Sequence, residues 1–237
     1  LERVSLGNSY KKYPHMLSGG EQQRAALVRA IAPKPKVLLM DEPFSGLDNR
    51  LRDEIRDQTL LLLKEEATAV LLVTHEPAEA MRMADTIALM HNGAILQEGA
   101  PYNIYNKPIN ATVASFFSDV NVIKGVVKQS RIDTSFGLFI TTGIEEGTPV
   151  EILIRPQHLK IDFDRKGKGP FPTPEDGVPA RGKVIRARFV GNESLIELCM
   201  DADNIVLKAT VPGVFLPSRD TPLWLSMRRD RCFVFKR

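Results

Sequence analysis

Along the first hundred residues, unbroken apolar runs alternate with stretches whose apolar positions recur at helical spacing. Residues 37–40 (VLLM) and 69–73 (AVLLV) show no polar alternation, as strands buried on both faces of a parallel sheet do. Between them, residues 49–66 place Leu51, Ile55, Leu62 and Leu63 near helical spacing, with Arg, Asp and Lys on the other face. Strand, helix and strand predict a βαβ crossover. Residues 21–32 predict another helix, stopped by Pro33 and Pro35. Residues 86–90 and 94–98 flank His91-Asn92-Gly93, where Asn-Gly predicts a hairpin. A connector over 99–119, punctuated by Pro101 and Pro108, holds a short helical stretch at 112–117. Beyond it the texture changes. Residues 122–127, 150–154, 183–189, 195–198, 205–211 and 232–235 are short runs rich in Val, Ile and Phe, several alternating at period two. They predict a small all-β barrel or sandwich, and the Gly/Pro-rich stretch 165–179 predicts a surface loop. The expected organisation is an α/β domain over 1–119, built on a mostly parallel sheet, and an all-β domain over 120–237.

The length of 237 residues leaves room for two such domains. The 32 Lys and Arg against 29 Asp and Glu are too balanced for a dedicated nucleic-acid binder. No apolar run approaches the roughly 18–20 residues of a membrane span. Cys199 and Cys232 cannot build a disulfide framework and lack zinc-ligand spacing, so the compartment reads as reducing, hence cytoplasmic. The chain opens at Leu1 without a signal-peptide pattern and reads as part of a longer protein.

Three groups of residues carry candidate chemistry. Ser18, Gly19 and Gly20 stand at a predicted helix N-terminus, where free N–H groups and the helix dipole favour a phosphate; the same residues also suit a plain helix cap. Asp41 and Glu42 follow the VLLM strand, and ligands sit beyond the carboxyl ends of such strands. An acid there can hold Mg²⁺ through water, and a second can deprotonate an attacking water. Pro43 biases Glu42 towards an extended backbone. His75 closes the second buried strand, on the expected edge of Asp41, where it can reach a phosphate oxygen. His15, His91 and His158 show no metal-ligand spacing. Ser45-Gly46-Leu47-Asp48 reads as a turn with Asp48 capping the next helix.

In this order and spacing the motifs resemble the ATP-binding subunits of ABC transporters. LSGGEQQR (17–24) resembles the family's signature, VLLMDEP (37–43) its Walker B strand, SGLD (45–48) its D-loop and VTHE (73–76) its switch-histidine loop. The resemblance implies ATP and Mg²⁺ as ligands and the following roles. Asp41 holds the water shell of Mg²⁺, Glu42 is the general base and His75 contacts the γ-phosphate. Ser18, Gly19 and Gly20 bind the γ-phosphate of ATP held by the opposite subunit, and Asp48 lies at that homodimer interface. Glu21 departs from the commoner LSGGQ form, which argues against a direct nucleotide contact there. No GxxxxGK[ST] phosphate loop occurs in the sequence, so the chain holds the signature side of the site without the phosphate cradle.

In the second half, IRPQHL (154–159) resembles a stretch in the β-barrel extension of import ATPases for sugars, polyamines and ferric ions. SYKKYPHMLSGGEQQR and FFSDVNVIKG are most similar to the ferric-ion group. The resemblance thus implies an ATPase motor for solute import, with ferric iron the first expectation and sugar, polyamine or another solute the alternative. Its partners would be transmembrane permease subunits and, indirectly, a periplasmic solute-binding protein. Its place would be peripheral, on the cytoplasmic face of the bacterial inner membrane. Chromosome-maintenance ATPases also carry a signature and a DE pair, but beside long heptad coiled coils that are missing here. Tandem-cassette translation ATPases would place a second cassette where the β module stands. A different class of reading is a dimerisation or regulatory module without ATPase activity.

Overall fold

The computed structural model describes every residue except 1–3, 5, 46–48, 142 and 165; for 49–51 it describes the backbone alone. The chain divides into two compact units, Leu1–Asn106 and Lys107–Arg237.

In the first unit, α1 (Gly19–Ile31) leads into β1 (Val37–Asp41), α2 (Asn49–Glu65) and β2 (Ala69–Val73). β1 and β2 pair in parallel, with Val37 opposite Ala69 and Asp41 opposite Val73, so the two strands end level. Leu38 and Met40 pack against Ile31 of α1 and Leu63 of α2, which buries one face of the pair. The other face stays open: Val37 and Leu39 of β1 are 61% and 71% exposed, and Leu71 and Val73 of β2 are 61% and 53% exposed. This corrects the expectation of strands covered on both faces. Both helices pack on one side, and among the described residues no element of this unit covers the other. α3 (Pro77–Met83) follows β2, and β3 (Ile87–His91) pairs antiparallel with β4 (Ala94–Gly99) through the predicted Asn92-Gly93 turn. α4 (Pro101–Asn106), which the connector reading did not foresee, starts with Pro at its first position.

The second unit begins with α5 (Ala111–Phe117), capped by the Asn110 side chain on the Val113 N–H. Ten strands follow among the described residues: β5 (Asn121–Val126), β6 (Arg131–Thr134), β7 (Gly137–Ile140), β8 (Pro149–Ile154), β9 (Leu159–Phe163), β10 (Ala180–Phe189), β11 (Glu193–Met200), β12 (Val206–Pro212), β13 (Pro222–Met227) and β14 (Phe233–Lys236) make up the antiparallel framework, with β6–β7 as a separate hairpin. One sheet has the order β12-β11-β10-β13-β9 and another β14-β8-β5. Both sheets and the hairpin contribute to one core that includes Ile123, Ile132, Ile152, Val184, Ile196 and Leu223. β11 shows why the strands form: Ser194, Ile196, Leu198 and Met200 face inward, and the residues between them do not. Asn121 ties the sheets together, donating to the Lys208 carbonyl at 2.8 Å and accepting from the Lys208 N–H at 2.7 Å.

Residues 107–119 group with the β-rich unit, not with the α/β one. Val113 and Ala114 of α5 are fully buried, and Arg155 Nε donates to Ser118 Oγ at 2.6 Å. Arg155 itself is 1% exposed and lies over the Phe233 ring, 5.1 Å from its centroid. The IRPQHL stretch is thereby a structural clamp: Ile154 and Leu159 enter the core, and Pro156 opens a short 3-10 turn. The 165–179 stretch carries no helix or strand among its described residues. No described helix is long and apolar enough to cross a membrane.

Candidate functional site at the paired strand ends

Because β1 and β2 run parallel and in register, the residues after Asp41 and Val73 leave the sheet side by side. The Glu42 N–H donates to the Val73 carbonyl at 2.9 Å, extending the ladder by one bond. His75 Nδ1 then meets Glu42 Oε1 at 2.5 Å. Both side chains are solvent-accessible, His75 at 68% and Glu42 at 40%. Asp41 alternates onto the open face of the pair and is exposed.

Glu42 is not extended as Pro43 predicts. Its φ is +44°, in the left-handed region that non-glycine residues seldom occupy. The bond to Val73 fixes its N–H, and its carbonyl accepts the Ser45 N–H and the Ser45 hydroxyl, so tertiary bonding overrides the local preference. Strain of this kind gathers at functional positions and costs on the order of 1–3 kcal/mol.

The carboxylate of Glu42 raises the His75 pKa, first through the hydrogen bond and then through its charge, with Glu76 and Glu79 adding smaller attractions. Since the folded value lies above the unfolded one, the pair stabilises fully below the ordinary histidine value of about 6.5 and loses its effect as pH rises through the folded value. Urea unfolding of the native chain and His75→Ala between about pH 5 and 9 is expected to show their stability difference shrinking as pH rises. A difference that grows with pH would contradict the pairing.

Ser18 sits at the start of α1 as a helix cap. Its Oγ accepts the Glu21 N–H at 3.3 Å, and Glu21 Oε2 accepts the Ser18 N–H at 2.8 Å. This reciprocal capping box explains Glu21: the carboxylate has work at the helix terminus, and its pKa is lowered first by the Ser18 backbone bond. The Ser-x-x-Glu spacing was a readable signal for it. Gly19 faces open space, and a Cβ there would meet nothing within 4 Å. α1 is joined to the acidic strand end by Gln23 Nε2, which donates to the Pro43 carbonyl. Asp48 lies outside the described residues. The structure thus brings Glu42 and His75 together beside Asp41, with the Ser18–Gly20 turn presented separately at the start of α1.

Four side chains around this site, Thr74, Glu76, Glu79 and Arg56, make contacts that sequence reasoning did not assign. Thr74 Oγ1 donates to Glu79 and accepts the Glu76 N–H, while Arg56 of α2 reaches Glu76 and Glu79. These contacts join residues distant in sequence, and no local pattern signals them. Among the described residues no group of three or more acidic, His or Cys side chains could hold a metal by itself. A single exposed carboxylate suits Mg²⁺ bound through water and phosphate, which needs few protein ligands.

Residues 1–45 match the ABC transporter family, and residues 152–235 match the TOBE domain family. Fold and matches together define the class: part of an ABC-type P-loop ATPase fold followed by a TOBE-type, OB-like β domain. The chain is similar to the spermidine/putrescine import ATP-binding protein PotA of Acetivibrio thermocellus, 38% identical over 68% of this chain and 47% of that protein. It is also similar to PotA of Trichormus variabilis, 31% identical over 99% of this chain and 63% of the relative. A solved ATP-binding cassette of an ABC transporter is 28% identical over 50% of this chain and 47% of its own, with a TM-score of 0.43. The chain therefore spans from about half to under two thirds of the curated relatives it matches. The ferric-ion expectation finds no support in these relatives, whose names specify polyamine import.

Proposed function

We propose that the chain is part of the ATP-hydrolysing subunit of a solute importer, with polyamines as the cargo class. The observation that carries this reading is the Glu42–His75 contact at the level ends of two parallel strands. Glu42 is the general base for the attacking water, and His75 holds it in place and contacts the γ-phosphate. Asp41 would hold Mg²⁺ through its water shell, and the metal supplies charge neutralisation on the phosphates. Gly19 and Gly20 present N–H groups, and Ser18, whose own N–H is bound to Glu21, presents its hydroxyl proton, to the γ-phosphate of ATP on a second copy, so a homodimer completes each site. Asp48 is assigned to that interface. The polyamine assignment rests on the names of the relatives, and it carries permease subunits and a periplasmic solute-binding protein as partners. The working place is then the cytoplasmic face of the inner membrane. The β domain serves dimerisation and regulation, for which the exposed Val190, Val214 and Leu216 offer apolar surface.

Gly19→Glu tests the shared site without disturbing the fold. The added side chain enters open space, and an acid in the first turn favours the helix dipole. In a protein carrying the complete ATPase domain, ATP-driven dimer closure and hydrolysis are expected to disappear, while one copy still binds ATP. Retained hydrolysis would rule the signature turn out of the site.

A further inference from the structure

Arg56 is 4% exposed in the middle of α2, and Glu79 in α3 is 2% exposed. Arg56 Nη2 lies 3.3 Å from Glu76 Oε2 and its Nε lies 3.6 Å from Glu79 Oε1. Arg52, one turn earlier on the helix, takes the other Glu76 oxygen at 2.8 Å. Asp53 adds a contact of 3.4 Å to Arg56 Nη1. The carboxylate of Glu79 accepts the Thr74 hydroxyl, which in turn accepts the Glu76 N–H. His75 thus stands between two residues that this network holds. On its other side the Arg56 guanidinium lies over the Phe44 ring, 5.8 Å from the centroid, and Phe44 is buried with Ile55, with the half-buried Met83 packed against them. Phe44 is two residues beyond Glu42.

Stability alone explains this arrangement poorly. Taking an Arg and a Glu out of water costs more than well-packed apolar side chains would, and the pair regains that only through close geometry. What a planar, five-donor guanidinium offers instead is fixed orientation of several partners at once. We infer that Arg56 is a positioning residue which, from α2, locks the segments 42–44 and 74–76 so that His75 meets Glu42. The inference rests on the reading of Glu42 and His75 as the working pair.

The full 237-residue chain is suited to the test, with the His75 ring followed by NMR through a pH titration and assigned with His75→Gln. Glu42→Gln sets the reference, and its His75 midpoint is expected to fall towards the ordinary value of about 6.5. Arg56→Met keeps both Glu42 and His75. Removing a cation by charge alone raises a nearby histidine, whereas losing the position of Glu42 lowers it. The expected result is a fall close to that of Glu42→Gln, and a smaller fall in Arg56→Lys, which keeps the charge without the fork. A midpoint that holds or rises in folded Arg56→Met overturns the role of Arg56. If Arg56→Met does not fold, by its amide spectrum, Arg56→Lys decides in the same way. An unmoved midpoint in Glu42→Gln itself would remove the working pair, and the inference with it.

Discussion

Glu42→Gln, made in a protein that carries the complete ATPase domain, is expected to cut ATP hydrolysis by about a hundredfold or more while ATP binding persists. A hundredfold corresponds to about 2.7 kcal/mol of lost transition-state stabilisation, within what a positioned base supplies. The amide matches the carboxylate in shape, so the left-handed backbone at this position and the bonds to Val73 and Ser45 are kept. What disappears is the proton acceptor and the charge that holds His75 in its raised state. Steady-state hydrolysis and equilibrium binding of a fluorescent ATP analogue separate the two effects. Undiminished turnover would take Glu42 out of the chemistry.

Arg155→Ala is expected to lower the stability of the β-rich unit by about 3 kcal/mol, in the range of large-to-small changes in a packed core. Three losses combine. The fully buried side chain leaves a void, the Phe233 ring loses the cation over its face, and Ser118 loses its donor. Arg155→Lys is expected to recover less than half, because an ammonium lacks the flat surface that lies over the ring. Guanidinium unfolding followed through Trp224 fluorescence measures this directly. A loss below about 1 kcal/mol would mean that Arg155 is not a structural clamp.

Both variants touch residues that stand out in the sequence, yet for unequal reasons. Asp41, Glu42 and His75 are conspicuous because each follows a run of apolar residues that reads as a strand, and parallel strands present their ends together. Arg155 is conspicuous only through resemblance; its burial against Phe233 and Ser118 joins residues far apart in the chain. The four strands missed in the second half, β6, β7, β9 and β13, are short or interrupted by polar residues. Their pairing partners supply most of what keeps them extended. α4 was missed because its six residues carry too little periodicity to be read.

Local chemistry was enough for the order of elements in the α/β unit, the hairpin at Asn92-Gly93, the change to an all-β unit and the clustering of acids and histidine at strand ends. These follow from spacing, turn residues and apolar runs, which act over a few neighbours. Tertiary structure alone decided the rest: which face of β1 and β2 is covered, the left-handed backbone of Glu42, the grouping of α5 with the β-rich unit, and the Arg56 network behind His75. Each depends on a partner brought in from tens of residues away. The free energy of burying a charge or twisting a backbone is settled by that partner, and not by the residues on either side.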